Sequence, residues 1–406
     1  MNRPEVVVVG AGIGGLAAAI GFRRLGWQVV VCERAGTLRS TGGGIGLTPN
    51  GLRALDAIDA GRTVRSRAVE QRDGGIRRPR GDWIARTDLN FIRDRFGDPV
   101  IALHRADLTS ALAGLLPANA VQTGTRVTTV VPGAPGRRAR VTTTRGELTA
   151  DLVVGADGIR SAVRTALFPR HPGIRYAGYA SWRVVVPAPA QPVTAGETWG
   201  RGARFAILPL PDGRVHCSAL ASASARRPRG NEAAELIRRF GDWHDPIPEL
   251  LSGVTTSALF HDDIEELAAP LPSFSLGSVA LVGDAAHAMT PNLGSANLAL
   301  EDAVSLVSLI AANHAAGGGD IPSVLRQYSA CRQTRVVRLA RRSRRIGRIG
   351  QWSSPVAVAA RNIGFWLGGL LPAPVTARAL DSVLGWTAPV IPASAPAIAE
   401  PPLGGD

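Results

Sequence analysis

The stretch Val6–Ile20, VVVVGAGIGGLAAAI, decides how the first part of this chain folds. Four successive valines are typical of a strand that is buried on both faces, and the segment after the glycines is compatible with a helix. Between them, Gly10 permits a tight turn, Gly12 lets the backbone approach a diphosphate, and Gly15 lets the helix pack closely on the strand. The diphosphate would lie at the helix N-terminus, where free N–H groups favour negative charge. The stretch therefore predicts a dinucleotide-binding Rossmann unit.

The next segment supports this prediction. Trp27–Cys32, WQVVVC, has the pattern of a second strand and is followed by Glu33, which lies 18 residues after Gly15. An acidic residue at this distance can accept hydrogen bonds from the adenosine ribose. A glycine turn alone occurs in many α/β proteins, but strand, helix and acidic residue together favour a dinucleotide site. These residues do not distinguish FAD from NAD.

A second stretch, DLVVGADGIRSAVRTAL at residues 151–167, also begins as an apolar strand. Asp157 and Gly158 form the turn that follows, and a helix starts after them. The order of strand, turn and helix repeats that of the first stretch.

A third stretch, VALVGDAAHAMTPNLG at residues 279–294, predicts a strand that ends at Gly283 and Asp284. An aspartate at the C-terminal end of a strand suits a ribityl or ribose hydroxyl. A glycine turn at Gly294 leads into a helix from about Ser295, and the positive end of that helix would be directed at a bound ring.

In this order the three stretches resemble the single-component FAD-dependent monooxygenases of the para-hydroxybenzoate hydroxylase type, in particular the branch of salicylate hydroxylases and zeaxanthin epoxidases. The resemblance covers about residues 4–385. It implies an α/β fold: a Rossmann-type FAD-binding domain, an inserted mixed or antiparallel β-sheet substrate domain, and C-terminal helices. The expected segments are an FAD-binding domain at 1–172 and 276–330, a substrate sheet at 173–275, a helical region at 331–387 and a disordered tail at 388–406.

The resemblance also implies which residues contact FAD. Arg105, in LHRADL, is similar to an arginine that reaches the phosphate and ribityl region, and Val127, in GTRVTTV, matches a position whose backbone meets the adenine. A surface arginine and a core valine are the alternatives for these two. The full set of expected FAD contacts is Gly10, Gly12, Ile13, Gly14, Gly15, Glu33, Arg34, Arg105, Val127, Asp157, Gly158, Gly283, Asp284, Pro291, Leu293, Gly294, Ser295 and Ala296.

One departure from the family pattern concerns the turn after Gly294. The family continues PNLG with a second glycine, as in GQGxN, before the acidic pair, whereas this chain has GSANLALED and is one residue short. One residue rotates a helix by roughly 100°. We expect the turn to tighten and to keep backbone N–H groups near the flavin pyrimidine. The alternative is a weaker or displaced flavin.

The activity implied by the resemblance is monooxygenation. NADH or NADPH binds transiently and reduces FAD, and reduced flavin reacts with O2 to give a C4a-hydroperoxide that inserts one oxygen atom into a small hydrophobic molecule. Hydroxylation of an aromatic ring and epoxidation of an olefin are both compatible with the sequence. A flavin oxidoreductase that does not insert oxygen is the alternative activity, and a flavin-free interaction protein is the non-enzymatic one.

Substrate choice is expected to lie in residues 176–222, which alternate as antiparallel strands do. Arg183 and Arg204 are the candidates for a catalytic or orienting role, although an exposed place on the outer face of the sheet is an open alternative for both. The expected substrate contacts are Trp182, Arg183, Arg204, Phe205, Ile207, Leu220 and Pro291. Glu197, Asp212 and His216 are the acidic or imidazole groups in this segment that could deprotonate a phenol.

Composition limits the other classes of function. The chain has 406 residues and a formal net charge of +14, carried by 46 arginines and no lysine. This bias is typical of a GC-rich genome, and the densest run, Arg332–Arg348, is interpreted as the solvated face of an amphipathic helix. Nucleic-acid or anionic-membrane contact is the alternative for the run, although aromatic residues do not interleave with it. Three distant cysteines predict free thiols and a cytoplasmic protein, and no His and Cys cluster predicts a metal.

The last hundred residues have no pattern of a membrane span. Val356–Leu371 is apolar but shorter than a bilayer span and is interrupted by Arg361 and Asn362, so a packed helix or a lid is expected, with peripheral membrane contact as the alternative. The proline-rich composition from Ala388 onward predicts disorder. A monomer or a homodimer is expected.

Overall fold

The computed structural model describes residues 3–38, 42–134, 136–225, 230–318, 320–369 and 373–391. The strands are β1 Glu5–Val9, β2 Gln28–Cys32, β3 Gly44–Leu47, β4 Val69–Gln71, β5 Asp73–Arg77, β6 Trp83–Asp88, β7 Val100–His104, β8 Val121–Gln122, β9 Val127–Val131, β10 Ala139–Thr143, β11 Gly146–Ala150, β12 Leu152–Gly155, β13 Ile174–Pro187, β14 Gly196–Trp199, β15 Ala203–Leu210, β16 Arg214–Ser222, β17 Phe260–Leu267, β18 Ser275–Leu276 and β19 Val279–Leu281. The helices are α1 Ile13–Arg24, α2 Pro49–Ala57, α3 Gly61–Arg65, α4 Asn90–Phe96, α5 Arg105–Ala113, α6 Ala162–Leu167, α7 Glu232–Phe240, α8 Ile247–Ser252, α9 Asp284–His287, α10 Ser295–Ala315, α11 Ile321–Gly350, α12 Pro355–Gly369 and α13 Ala373–Leu384, with a short 3₁₀ turn at Thr256–Ala258.

The first sheet is the predicted Rossmann sheet. Its strand order is β18-β19-β12-β1-β2-β8, and all neighbours are parallel except the short edge pair β18 and β19. The four valines of β1 are at most 4% exposed, because strands lie on both sides of β1 and helices cover the faces. The carboxyl ends of β1, β12 and β19 therefore lie at the same edge of the sheet, and the turns of the three motifs follow the strands there. The predicted fold class is confirmed.

The second large sheet has seven strands in the order β17-β13-β16-β15-β14-β5-β6. It is antiparallel except where β14 pairs in parallel with β5. Strands β5 and β6 come from residues 73–88, so this sheet extends beyond the 173–275 segment and takes two strands from the first part of the chain. Two smaller three-stranded sheets, β11-β10-β9 and β3-β7-β4, complete the β structure.

Two separate cores stabilise these layers. The larger lies around the Rossmann sheet and includes the buried sides of α1, α10 and the start of α11. The smaller lies between one face of the seven-stranded sheet and helices α7 and α8. One face of the seven-stranded sheet is therefore covered by α7 and α8. Its other face is available to contact the Rossmann unit.

The C-terminal helices differ in burial. Within the described residues, α10 is the one helix that is long and apolar enough to cross a membrane. Its most apolar 18-residue window has a mean hydropathy of 1.3, and 78% of that window is buried inside the protein. Helix α11 is a single helix of 30 residues. Helix α12 packs near β6 and is largely exposed.

The predicted tail begins with residues that contact the protein. Ala388 and Ile391 pack against the larger core, and the Ser308 hydroxyl donates to the Val390 carbonyl oxygen at 3.2 Å. Residues 392–406 lie outside the described residues, so the prediction of disorder concerns a segment for which no structure is given.

Candidate cofactor and substrate site

The glycine turn after β1 has the geometry that its sequence predicts. Gly10 has a φ of +103°, and a Cβ there would lie 2.5 Å from the Ala156 carbonyl oxygen. A Cβ at Gly15 would lie 2.0 Å from the Gly10 carbonyl oxygen. At Gly12, by contrast, a Cβ would meet no protein atom nearer than 4.0 Å. Gly10 and Gly15 are thus required by the fold itself, while Gly12 borders open space at the N-terminus of α1.

A cavity of about 290 Å³ lies beside this turn and brings together three distant segments of the chain. Its lining includes the residues expected to meet the adenosine half of FAD, which are Gly10, Gly12, Glu33, Arg34, Val127, Asp157 and Gly158. Val127 is 8% exposed and still reaches the cavity wall.

Glu33 is held in place by the backbone. One carboxylate oxygen accepts from the Ala11 amide at 2.9 Å, and the other accepts from the Ala35 amide at 2.8 Å. Each oxygen can accept a second hydrogen bond. The carboxylate is therefore oriented at the cavity and keeps the capacity to accept from a hydroxyl group.

Asp157 has one satisfied and one unsatisfied oxygen. Its Oδ2 accepts from the amides of Ala162 at 2.7 Å and Val163 at 3.2 Å, which anchors the start of α6. Its Oδ1 is buried and has no hydrogen-bond partner among the described residues. A buried acceptor without a donor is costly. Because Asp157 lines the cavity, its unpartnered Oδ1 fits a ligand that carries a hydroxyl or amide donor.

A second cavity of about 110 Å³ continues from the first, and the two share Gly12, Ala156 and Gly158. The lining of the second cavity comes from the first and third motifs and from Arg105, and it consists of Gly12, Ile13, Gly14, Gly15, Arg105, Ala156, Gly158, Val282, Gly283, Asp284, Ser295, Ala296 and Ala299. The two cavities therefore form one groove past the ends of the parallel strands. This is the position at which open α/β sheets bind ligands.

Arg105 and Asp284 provide opposite charges in the second cavity. Arg105 is exposed at the cavity wall; partial desolvation lowers the pKa of its guanidinium, while Asp284 acts in the opposite direction. The Arg105 amide donates to the Gly43 carbonyl oxygen at 3.0 Å, which fixes the start of α5 against the segment before β3. Arg105 therefore places a cation at the wall of the second cavity, and its contact with a cofactor stays a prediction.

Arg164 connects the second and third motifs and was not predicted as a site residue. It is 4% exposed, and its Nη1 donates to the Ala285 carbonyl oxygen at 3.1 Å. Its Nη2 donates to the Ile159 carbonyl oxygen at 2.5 Å. An arginine within a sequence already rich in arginine gives no signal that it is buried, so only the fold identifies this link.

A buried ionic cluster lies directly behind Gly283. Asp302 accepts from the Gly283 amide at 2.9 Å, from His287 Nε2 at 2.5 Å and from Arg332 Nε at 2.7 Å. Burial alone would raise the pKa of the Asp302 carboxyl, but His287 and Arg332 together lower it below its ordinary value. The carboxylate is therefore ionised and holds the backbone of the third motif in place.

The neighbouring carboxylate extends this cluster to α2 and α11. Glu301 is fully buried and accepts from Asn50 Nδ2 at 2.7 Å, from Arg332 Nη2 at 2.7 Å and from Arg335 at 2.8 Å. The prediction that the arginine run forms a solvated face is therefore wrong for Arg332, while Arg335 is half-buried, with 20% of its side chain exposed. Arg332 is 1% exposed, because the acidic pair on α10 faces it.

The shortened turn has a tight conformation. Gly294 has a φ of +65°, and α10 begins at the next residue, Ser295. Asn297, the third residue of the helix, accepts from the Thr48 amide at 3.1 Å through Oδ1. Ser295 and Ala296 line the second cavity. Because the first-turn N–H groups of a helix have no acceptor within the helix, they are available at this wall.

The seven-stranded sheet separates the predicted substrate contacts between its two faces. Trp182, Phe205 and Ile207 belong to the core shared with α7 and α8, and Trp182 donates to Glu232 at 2.5 Å. They do not wall the same space as the flavin groove, and this part of the prediction is corrected. Arg204 on β15 pairs with Leu220 on β16. Because Arg204 is adjacent to Phe205 and side chains alternate along a strand, Arg204 and Leu220 lie on the sheet face opposite to that of Phe205.

Arg204 is the least exposed of the predicted orienting residues, at 1%. Its Nη1 donates to Asn292 Oδ1 at 2.9 Å, in the loop between α9 and α10, and lies 3.5 Å from Glu197. Its Nε and Nη2 are buried with no hydrogen-bond partner among the described residues. Its guanidinium lies 5.4 Å from the Trp199 ring. The alternative of an exposed outer-face arginine does not apply to Arg204.

The other predicted residues in this part of the protein are more exposed than Arg204 or do not line either cavity. Arg183 is about one-third exposed and pairs with Asp262 at 2.5 Å. Pro291 and Leu293 lie in the loop before α10 and are not among the residues that line the two cavities. Asp212 is 81% exposed in the β15–β16 turn and far too open to serve as a base in a closed site.

His216 lies on the same face of the sheet as Arg183 and Arg204. Its ring packs on Gly43 and Gly44, where an added Cβ would come within 2.7 and 2.8 Å of the histidine side chain. Burial lowers the pKa of His216 to about 4, with Arg183 and His104 adding to the effect. The imidazole is therefore neutral near pH 7.

Comparison with known proteins agrees with this geometry. A family model described as "FAD binding domain" matches residues 3–343. The chain is 35% identical over 365 residues to the aurachin C monooxygenase/isomerase of Stigmatella aurantiaca, covering 88% of this chain and 92% of that protein. It is 37% identical over 352 residues to the 3-amino-4-hydroxybenzoate 2-monooxygenase of Streptomyces cremeus, covering 82% of this chain and 84% of that protein. Among solved structures, Klebsiella pneumoniae HpxO complexed with FAD and uric acid superposes with a TM-score of 0.84 at 26% identity, covering 94% of this chain and 97% of that one.

Proposed function

Because the chain belongs to the FAD binding domain family and is an FAD-dependent monooxygenase, we propose that it hydroxylates a flat, oxygen-bearing aromatic or heteroaromatic molecule with NAD(P)H and O2. One observation carries this proposal. A continuous groove past the Rossmann strands is paired with a sheet face on which a buried arginine keeps two unsatisfied N–H donors.

The residues of the groove fit FAD. Glu33 would accept from the adenosine ribose, the open side of Gly12 would take the diphosphate, and Asp157 Oδ1 would accept from a cofactor hydroxyl. Arg105 and Asp284 would face the phosphate and ribityl region. Bound FAD supplies electron transfer from NAD(P)H and the activation of O2.

The N-terminus of α10 provides an electrostatic contribution of the protein. N–H groups of Ser295 and Ala296 at the wall of the second cavity would stabilise negative charge on the ring of a reduced cofactor. Asn297 and the Asp302 cluster keep this helix end in place. The tightened turn therefore supports the expectation that the missing residue does not remove the helix from the site.

Arg204 is proposed to orient the substrate. Its Nε and Nη2 can donate two parallel hydrogen bonds to an anionic or partly anionic oxygen, such as a phenolate or a ring oxo group. The 3-amino-4-hydroxybenzoate in the name of one relative and the uric acid of the HpxO complex support a flat ring with oxygen substituents. His216, neutral and on the same face, is proposed to accept a hydrogen bond from a ring hydroxyl, because its lowered pKa makes it a weak base but leaves the imidazole an acceptor.

The test combines product analysis with two arginine variants. The FAD-loaded enzyme is supplied with NADH or NADPH and a panel of phenols and quinolones, and products are examined for a gain of one oxygen atom. Arg204→Met should lower kcat/KM by roughly 10- to 100-fold, since a charge-assisted hydrogen bond contributes about 1.5–3 kcal/mol, with FAD occupancy unchanged. Arg326→Met, an exposed arginine on α11, is the matched control. NAD(P)H consumption without need of O2, or equal rates in both variants, would contradict the proposal.

The setting of the enzyme is part of the proposal. Cys32 and Cys217 are buried free thiols and Cys331 is an exposed one, which supports a reducing cytoplasm. We propose a monomer or homodimer that requires no nucleic-acid partner, in which hydroxylation rather than epoxidation is the reaction.

A further inference from the structure

Helix α12 exposes an apolar face to solvent. Val356 is 79% exposed, Ile363 55%, Trp366 52% and Leu367 51%. Ile363, Trp366 and Leu367 are three and four residues apart, and Val356 lies seven residues before Ile363, so the four side chains share one side of the helix. We refer to these four residues as the outer face of α12. Clusters of exposed large apolar side chains mark interaction sites on soluble proteins.

The outer face carries no charge, because the one charged residue of α12 points inward. Arg361 is 3% exposed and donates to the carbonyl oxygens of Gly200 at 3.1 Å and Trp199 at 3.4 Å. Burial, with Arg204 nearby, lowers the pKa of Arg361 to about 10. A helix that met only water would carry charged residues on its outer side. The single arginine instead holds α12 to the substrate sheet and leaves the other side entirely apolar or neutral.

Exposed arginines lie near the end of α11 and the connection that leads into α12. Arg345 and Arg348 are exposed in the last turns of α11 and make no ion pair with any described residue. Arg201 donates to the Ser353 carbonyl oxygen at 3.1 Å, in the short connection to α12, where Trp352 is 39% exposed. Exposed arginines and a tryptophan close to the start of an apolar helix match the chemistry of an anionic lipid headgroup layer.

We propose that the outer face of α12 docks the enzyme on an anionic lipid surface, with the arginines at Arg201, Arg345 and Arg348 against the headgroups. The 15 residues of α12 span about 22 Å, which is short of the roughly 30 Å bilayer core. The helix therefore lies in the interface and does not cross it.

The inner side of the same helix lies against the proposed substrate site. Phe365 contacts the Trp199 ring edge-on at a centroid distance of 5.2 Å, and Trp199 neighbours Arg204. A hydrophobic molecule dissolved in lipid would therefore meet the enzyme at the helix that closes the substrate face. Docking goes beyond the oxygenation reaction and is tested separately from it.

The experiment measures binding of the FAD-loaded full chain to sedimenting vesicles of phosphatidylcholine with phosphatidylglycerol, and of phosphatidylcholine alone. We expect binding to the anionic vesicles, weakened by high salt. The double variant Trp366→Ser/Leu367→Ser should reduce vesicle affinity by about tenfold or more, and Arg345→Gln/Arg348→Gln should reduce it for anionic vesicles alone. Ile237→Ser, a 49% exposed apolar residue on α7, is the matched control and should bind as wild type.

Three outcomes would overturn the proposal. One is that the wild-type protein does not sediment with either vesicle. Another is that the α12 double variant binds as tightly as the Ile237→Ser control. The third is that the wild type is a dimer by analytical ultracentrifugation, the double variant is a monomer, and neither binds vesicles, which would make the outer face a contact between copies of this chain. Bound FAD, read by its absorbance, verifies that each variant is folded.

Discussion

Replacing Gly12 by alanine should separate cofactor binding from folding. Gly12 has a φ of −73° and a ψ of 176°, which alanine adopts readily, and its nearest protein atom to an added Cβ lies 4.0 Å away. Replacing the glycine N-cap by alanine destabilises the start of α1 by a few tenths of a kcal/mol or more. The same replacement lowers the conformational entropy of the unfolded chain, which stabilises the folded protein by about 0.4–1 kcal/mol. The free energy of unfolding of the FAD-free protein should therefore change by less than about 1 kcal/mol.

The same methyl group should weaken FAD binding. It would project into the groove where the diphosphate approaches the N-terminus of α1, and crowding of this kind costs about 1–3 kcal/mol. Since 1.4 kcal/mol is a factor of ten, the Kd for FAD should rise roughly 5- to 150-fold. Fluorescence titration of FAD-free protein gives the Kd, and urea unfolding of the same sample gives the stability.

Gly15→Ala is the contrasting variant. Its Cβ would lie 2.0 Å from the Gly10 carbonyl oxygen, so strand and helix must separate, at a cost of about 3 kcal/mol or more. We expect this variant to unfold at clearly lower urea concentration even without FAD. Wild-type FAD affinity in Gly12→Ala, or equal stability of the two variants, would refute the placement of the diphosphate at Gly12.

Three further predictions concern the ionic cluster, the buried histidine and the short turn. Asp302→Asn should lower the free energy of unfolding by about 3–5 kcal/mol in urea titrations, because Arg332 would keep only Glu301 as a buried anionic partner and His287 would lose its carboxylate; a change below 1 kcal/mol would contradict this. His216 has a folded pKa below its unfolded value, so its contribution to stability is present above about pH 6.5 and is lost as pH falls toward 4, by up to about 3 kcal/mol; stability curves of His216→Gln should be flatter over that range. A glycine inserted after Ser295 should not raise FAD occupancy or lower peroxide release, since the existing turn already holds the helix N-terminus at the cavity; a clear gain in either would favour the displaced-flavin alternative.

The Rossmann unit and the groove were predictable because they depend on local patterns. Four valines followed by glycines specify a buried strand and a tight turn, and two later stretches repeat that form. Parallel strands place their carboxyl ends at one edge, so three motifs far apart in the chain must meet there. Glu33, Asp157 and Asp284 reach the groove for this reason, whereas Val127 reaches it from the separate antiparallel sheet β11-β10-β9.

The buried ionic cluster was not predictable from the pattern of charges. Arg332 belongs to a run of arginines that favours a solvated face, and nothing in its sequence neighbourhood distinguishes it from Arg338 or Arg341, which are exposed. Its burial depends on Glu301 and Asp302, which lie 30 residues earlier on another helix. Only the packing of α10 against α11 brings these groups together.

The sequence by itself determined that this protein has a dinucleotide site, where its three motifs lie and that its middle segment forms a sheet. The tertiary structure decided which face of that sheet serves the site. Strand alternation fixes that Arg204 and Phe205 point to opposite sides, but it does not say which side meets α7 and α8 and which meets the groove. That choice depends on contacts between segments distant in the chain, and the free energy of burying an apolar side chain is the same whichever sheet face covers it.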